Sequence, residues 1–398
     1  MREPVVFILD RFDDASAGTE SQIVLLLRLL DRTRFTPRVA LLRGPDGLSR
    51  YVDDVRVDVL DIGPIRSPRS WNRAWRFARS ARRGGGRIAH IWFNDASVLF
   101  PFPLWLAGFR VVVSRRDLGF WYTPALLRLL RLAGRFVDAV VCNADAVRRA
   151  VVAQERLPER RTVVIYNGIA REQTSATSEQ ERVHMGVPPG AFLVTAVANL
   201  RPLKRMDTII QAIARVRRLV PEIHLIIAGA DRPGTSCPSH REELEHLTHS
   251  LGVAERVHFM GAISDPMTLL DCSDAAVLAS ETEGLSNSII EYLLAGRPVL
   301  CTPVGGAREL VDEGITGYFF DVGDDAALAR HLVNLHDDPD LLRKMGQHAQ
   351  AAARARFDPR ILVSSHERLY EHLLRTRGAQ SWPLPAERSL ANTLRDST

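Results

Sequence analysis

The chain has 398 residues, 46% of them hydrophobic, which is too long for one ordinary core and predicts two globular domains. Its net charge of +5 hides an asymmetry: Met1 to Arg171 hold 29 Arg, no Lys and 17 acids, a surplus of 12, and the remainder is net negative by 7. No apolar run approaches the roughly 20 residues of a membrane-spanning helix, Arg2 and Glu3 flank only a short strand-like segment, and Cys142, Cys237, Cys272 and Cys301 are scattered, so neither a spanning helix, a leader peptide, a disulfide framework nor a zinc knuckle is expected, and a cytoplasmic protein with reduced thiols is.

In chain order, Val5 to Leu9 reads as a strand and Ser21 to Leu30 as a helix, joined by the small-residue loop Ala15-Ser16-Ala17-Gly18-Thr19-Glu20. Gly18 there either lets backbone approach a phosphate or sugar, or simply opens the helix. Further strands are expected at Arg38 to Leu42, Val57 to Leu60, Ile88 to Trp92, Arg110 to Ser114, Ala139 to Cys142 and Val163 to Tyr166. Strands alternating with helices predict a parallel α/β sheet.

Two segments of this basic half carry surface chemistry. Arg69 to Arg83 interleaves six arginines with Trp71, Trp75 and Phe77, either a helix that lies on an anionic membrane or a crossover helix that buries its tryptophans on the sheet. Phe100 to Phe109 and Phe120-Trp121-Tyr122 surround Ser114-Arg115-Arg116-Asp117, just past a strand's carboxyl end. At that edge Arg115 or Arg116 would reach an anionic substrate, unless they pair with Asp117.

Asn167-Gly168 reads as a turn, and the polar stretch Arg171 to Gln180 as the interdomain linker. A second α/β unit follows, with strand Phe192 to Val197, loop Ala198 to Arg205, helix Met206 to Leu219, strand His224 to Ile227 and then Gly229. Arg201 and Lys204, at a strand's carboxyl end, form a candidate diphosphate clamp: Arg binds as a fork and Lys as a point charge. Downstream, the strand Asp274 to Ala279 leads into Glu281-Thr282-Glu283-Gly284-Leu285-Ser286, then a helix capped by Ser286 or Ser288 that ends at Gly296, before the strand Pro298 to Cys301. Unpaired N–H groups at that helix start attract phosphate, and Glu283 and Glu291 bracket it.

Taken together, Asn167-Gly168-Ile169, Arg201 and Lys204, the Gly229 loop, Glu283-x7-Glu291 with Ala295-Gly296-Arg297-Pro298-Val299, Gly305-Gly306, Glu309-Leu310-Val311 and Thr316-Gly317-Tyr318 resemble the family 4 retaining glycosyltransferases over residues 4 to 375. The resemblance implies the GT-B fold: two Rossmann-like α/β domains whose parallel sheets face across a cleft. Residues 1–175 would bind the acceptor, with 359–375 crossing back onto them, 176–358 would bind the donor, and the tail 376–398 would be disordered.

The same resemblance implies a nucleotide-diphosphate sugar (UDP- or GDP-sugar) as donor, no metal, no permanent cofactor and no nucleic acid partner. Glu291 would take the ribose hydroxyls and Glu283 the donor sugar. Arg201, Lys204 and the backbone of Gly284, Leu285 and Ser286 would hold the diphosphate, with Gly18, Gly229 and Ile263 also lining the nucleotide. The acceptor would be a glycan or lipid-linked glycan of the cell envelope, with an anionic membrane as a further partner and a peripheral location at its inner face.

The sequence also departs from the family pattern. Asn199 stands where a Gly-Arg pair is usual, so the arginine is Arg201; Ala17-Gly18 replaces paired glycines; and Ser114-Arg115-Arg116-Asp117 replaces a His near the donor sugar, leaving His90 as a partial substitute or a satisfied core histidine. Two other readings stay open: a UDP-sugar 2-epimerase of similar fold, and a catalytically idle scaffold.

Overall fold

The computed structural model describes residues 2–13, 15, 18–119, 122–171, 179–231, 239–263 and 265–376. Ser16, Ala17, Phe120, Trp121, Cys237, residues 172–178 of the expected linker and residues 377–398 of the expected tail lie outside the described residues. The chain forms two compact units, one built from the segment up to Gly168 and again from Asp358, the other from Ile169–Phe357.

The first unit holds a seven-stranded sheet of β1 (Glu3–Leu9), β2 (Phe35–Leu41), β3 (Arg56–Val59), β4 (Ile88–Ile91), β5 (Arg110–Arg115), β6 (Ala139–Cys142) and β7 (Thr162–Val164), ordered β3-β2-β1-β4-β5-β6-β7. Every pairing is parallel. Apolar runs such as Val111 to Val113 suit strands whose two faces are both covered, and all three of those valines are buried. β2 begins before the expected Arg38 and includes Pro37, where the β3 pairing has not yet started; proline is tolerated on such an edge.

Six helices complete the crossovers: α1 (Gly18–Leu29), α2 (Pro68–Arg83), α3 (Asn94–Leu99), α4 (Pro101–Leu106), α5 (Pro124–Ala133) and α6 (Asp145–Glu155). α2 buries Ala74, Phe77, Ala78 and Ala81, whereas Trp71 stays exposed and donates its indole N–H to the Ile65 carbonyl. The tryptophans expected on the sheet are therefore replaced there by smaller residues and Phe77. The helix Pro359–Arg375 starts at Asp358, whose carboxylate accepts from the Arg360 N–H at 2.7 Å, and it packs Leu362, Leu369 and Tyr370 into this unit's core beside α1.

The second unit carries β8 (Phe192–Val197), β9 (Ile223–Ala228), β10 (Val257–Gly261), β11 (Ala275–Leu278), β12 (Val299–Cys301) and β13 (Gly317–Phe319), parallel and ordered β10-β9-β8-β11-β12-β13. Its helices include α7 (Glu179–His184), α8 (Met206–Val216), α9 (His240–Leu251), α10 (Pro266–Asp271) and α11 (Asn287–Leu294). Asp338-Pro339-Asp340 is a helix start, with the Asp338 carboxylate accepting from the Leu341 N–H at 2.9 Å and Pro339 in the first turn. In both sheets the strand order reverses once, between β1 and β4 and between β8 and β11, and ligands of open α/β sheets bind outside the carboxyl ends at such a point.

Candidate functional site

At the switch point of the second unit, β8 and β11 pair only as far as Thr195 and Ala276, then part. The gap is filled from α11: the Ser288 hydroxyl donates to the Val197 carbonyl at 2.7 Å, and the buried Tyr292 hydroxyl accepts from the Val197 N–H at 2.7 Å. Of the two expected caps, Ser286 alone serves, accepting from the Ile289 N–H, while Ser288 ties the helix to the sheet. α11 is thereby held with its N-terminus at the sheet's carboxyl edge.

The loops leaving β8 and β11 are joined to each other. Glu281 N–H donates to the Leu203 carbonyl at 2.8 Å, and Arg205 bonds Glu281 at 3.2 Å. Lys204, closing the 3₁₀ turn Pro202–Lys204, places Nζ 2.5 Å from Glu283 Oε1, which also accepts from the Ser280 hydroxyl at 2.7 Å. The sequence assigns Lys204 and Glu283 to different parts of a ligand; the structure pairs them with each other, so they act as one unit. Arg201 is exposed and, among the described residues, makes no hydrogen bond or ion pair through its guanidinium.

Two glycines hold this edge by what they lack. A Cβ on Gly229 would stand 1.9 Å from the Ala198 carbonyl oxygen, so this position is fixed by the close pass of the loop after β8. A Cβ on Gly305 would stand 2.0 Å from the Glu283 carbonyl oxygen, and Gly306 N–H donates to the Gly284 carbonyl at 2.7 Å. Gly305-Gly306 thus supports the Glu283 loop from behind. Leu285 and Ser286 are buried there, and no hydrogen bond from the N–H groups of Gly284, Leu285 or Ser286 is found among the described residues. N–H groups without an internal acceptor at a helix N-terminus attract anions.

Glu291 lies eight residues beyond Glu283 on α11, half-buried, with no hydrogen bond or ion pair to its carboxylate among the described residues. Burial, with Asp265 adding repulsion, pushes its carboxyl up to about 7. Ile263 follows β10 and packs against the buried cluster that includes Ile226, Ala228 and Leu269.

The first unit treats its predicted residues differently. His90 is fully buried, with Nδ1 2.7 Å from the Tyr370 hydroxyl and Nε2 2.8 Å from the Ser114 hydroxyl, and burial holds its imidazole well below the usual range. It is a satisfied core histidine, not a sugar contact. Arg115 is likewise corrected: its buried guanidinium forks onto Glu155 at 2.6 and 3.0 Å, and neither a substrate nor Asp117 is its partner. Arg116 lies over the Trp92 ring at 5.2 Å and donates to Asn167; burial pulls it down to about 10, opposed by Glu20. Gly18 is the exposed first residue of α1.

Sequence reasoning missed Asp10. It follows β1 at this unit's switch point and accepts from the N–H groups of Asn94, Asp95 and Ala96 at 3.1, 3.0 and 2.7 Å. An acid just past the first strand was its only local signal.

Two Rossmann-like units with parallel sheets, each with one switch point, define the GT-B class of glycosyltransferase fold. The fold of Anabaena HepE, solved in complex with UDP, matches with a TM-score of 0.82 at 23% identity, covering 94% of this chain and 100% of that one. The family profile "Glycosyl transferases group 1" matches residues 177–352 and "Glycosyltransferase Family 4" matches residues 16–173. The chain belongs to this glycosyltransferase family.

Among its relatives, N-acetyl-alpha-D-glucosaminyl L-malate synthase of Bacillus anthracis is 28% identical over 256 residues, 63% of this chain and 64% of the relative. D-inositol 3-phosphate glycosyltransferase of Thermomonospora curvata is 30% identical over 232 residues, 54% of this chain and 53% of the relative. Each match spans less than two thirds of the relative's length.

Proposed function

We propose that the chain is a retaining glycosyltransferase that takes a sugar from a nucleotide-diphosphate donor to a glycan or lipid-linked acceptor in cell-envelope synthesis. The observation that carries this is Glu291: a half-buried carboxylate with no partner among the described residues, five positions past the N–H of Ser286, at the second unit's switch point. A vicinal diol supplies the two hydroxyl donors such a carboxylate lacks, and the ribose of a nucleotide is one. The open N–H groups, with Lys204 and Arg201, fit the diphosphate and offset the charge that develops on it as it leaves. Glu283, held by Lys204 and Ser280, faces the donor sugar as a fixed acceptor. With that carboxylate already engaged, attack from the leaving group's own face is the retaining route this site favours.

The UDP carried by the HepE structure makes a UDP-sugar the first donor to test. A thermal-shift panel of UDP-, GDP- and ADP-sugars tests the reading, because a bound ligand raises the melting temperature by mass action. A shift for one nucleotide series that disappears in Glu291→Ala supports it; no shift with any of them overturns it. Product analysis with the stabilising donor distinguishes transfer from 2-epimerisation and from binding alone.

A further inference from the structure

One cation of the first unit has no counter-charge at contact. Arg116 stands just past the last residue of β5, between Arg115, which Glu155 takes, and Asp117, which accepts from the Gly119 N–H at 2.7 Å. It is half-buried, with its guanidinium over the Trp92 ring and Nη2 donating to Asn167. Among the described residues no acceptor is found for Nε or Nη1, and no carboxylate lies within ion-pair distance. Glu20, in the first turn of α1, acts on it through charge without bonding it, and the nearby His90 and His366 are held neutral by burial. A cation taken out of water is costly unless an anion meets it.

The edge around Arg116 has other unmet bonds. β4, β5 and β6 are neighbours in the sheet, and the residues that follow them, Trp92, Arg116 and Asn143, all stand at its carboxyl ends beside the switch point, where open α/β sheets bind ligands. Trp92 and Asn143 are buried, yet the indole N–H of the one and Oδ1 of the other have no partner among the described residues. Asn143 Nδ2 donates to the Arg116 carbonyl at 3.3 Å and so fixes the backbone there. Between Trp92 and the N–H groups that Asp10 takes, Phe93 is held at φ 69°, a left-handed value that a side chain resists. Strain of this kind persists where the surroundings over-determine it, and it concentrates at ligand sites.

We propose that the acceptor is an acid, a sugar or polyol that bears a phosphate or carboxylate, and that Arg116 binds this anionic group while Glu20 takes one of its hydroxyls. The proposal rests on the glycosyl-transfer reading and names the acceptor's class. Stacking on Trp92 occupies the face of the guanidinium and leaves its donor edge for a planar fork, the geometry that matches a phosphate or a carboxylate. Glu20 is half-buried and, among the described residues, its carboxylate accepts only from its own backbone N–H, so it has room for a hydroxyl donor. A neutral sugar would satisfy Glu20 alone. An acid satisfies both groups at once, and that difference is the source of the selectivity.

Isothermal titration of the full chain with glucose 6-phosphate, glucuronate and glucose tests this, with glucose as the neutral reference. At least one of the two acids should bind at least tenfold more tightly than glucose, and which one does so tells phosphate from carboxylate. Arg116→Gln should remove that preference, whereas Arg76→Gln, which deletes an exposed arginine of α2, should keep it. Arg116→Gln should also melt no lower than the parent, because it deletes a cation that no carboxylate meets; a purely structural arginine would lower the melting temperature when lost. Both variants should keep the thermal shift by nucleotide sugar, so failure here is separable from failure of the donor site. No preference for either acid, a preference that survives Arg116→Gln, a lower melting temperature in that variant, or a nucleotide-sugar shift that this variant alone loses, overturns the proposal.

Discussion

The two sheet edges hold similar residue types in opposite states. In the first unit, Arg115 and Glu155 close on each other, His90 is saturated by Tyr370 and Ser114, and Asp10 takes three N–H groups. In the second, the side chains of Arg201 and Glu291 have no partner among the described residues, and no acceptor for the N–H groups of Gly284 to Ser286 is found there. The first edge pairs these charged groups internally, although the buried Trp92 indole N–H and Asn143 Oδ1 beside them have no partner among the described residues. The second carries unsatisfied ones, a cost to the fold that a ligand can offset.

The largest effect that can break this contrast is on stability. Arg115→Ala leaves Glu155 buried without its partner and should cost about 3–5 kcal/mol, measured by urea unfolding, with the nucleotide-sugar thermal shift retained. Loss of that shift in a folded variant would place Arg115 in the binding machinery after all. Next comes the opposite case, a site residue whose removal helps the fold. Burial raises Glu291 above its unfolded value, so its contribution is fully present below the unfolded pKa near 4.5 and is lost as pH rises through about 7. Glu291→Gln removes that ionisation cost and should stabilise the unliganded protein at pH 8 by on the order of 1–3 kcal/mol, with little gain at pH 4. Donor affinity of the parent should instead rise with pH through about 7, because a diol donates best to the ionised carboxylate.

This division explains what the sequence made legible. Strands buried on both faces are continuous apolar runs, so both sheets and their parallel sense could be read, and the acids on either side of the start of α11 stood out because the spacing, polar loop and cap are all local. Arg115 could not be read correctly: its partner is forty positions away on α6, and Asp117, beside it in sequence, was the nearer candidate. Tyr292 and Ser288 act by reaching across to Val197, and Gly305 acts through the space its missing side chain leaves. Partners set by tertiary approach leave no periodicity behind, and they account for most of what was missed.

Within the open edge the sizes should follow burial. Glu291→Ala should weaken nucleotide-sugar binding or turnover at least tenfold, since on the proposed binding mode it would remove two charge-assisted hydrogen bonds at a half-buried position. Lys204→Ala should match it, because Glu283 then loses the cation 2.5 Å away as well as the diphosphate losing its charge. Steady-state kinetics on folded variants checks both, and unchanged constants would remove the residue from the site.

The smallest effect belongs to Arg201. Its guanidinium is exposed and has no partner among the described residues, so on the proposed binding mode it would have to be ordered on the diphosphate. Exposed charge pairs are worth roughly 0.2–1 kcal/mol, and Arg201→Ala should therefore raise the donor's dissociation constant by only about twofold to fivefold. Screening gives the sharper distinction. High salt should shrink the difference between Arg201→Ala and the parent, while the Glu291→Ala difference, made by hydrogen bonds in a partly buried position, should persist. Isothermal titration of each variant at low and high salt reads both slopes. An Arg201 effect as large and as salt-resistant as that of Glu291 would mean that the arginine is held at the diphosphate by an ordering of the loop that the free chain does not display.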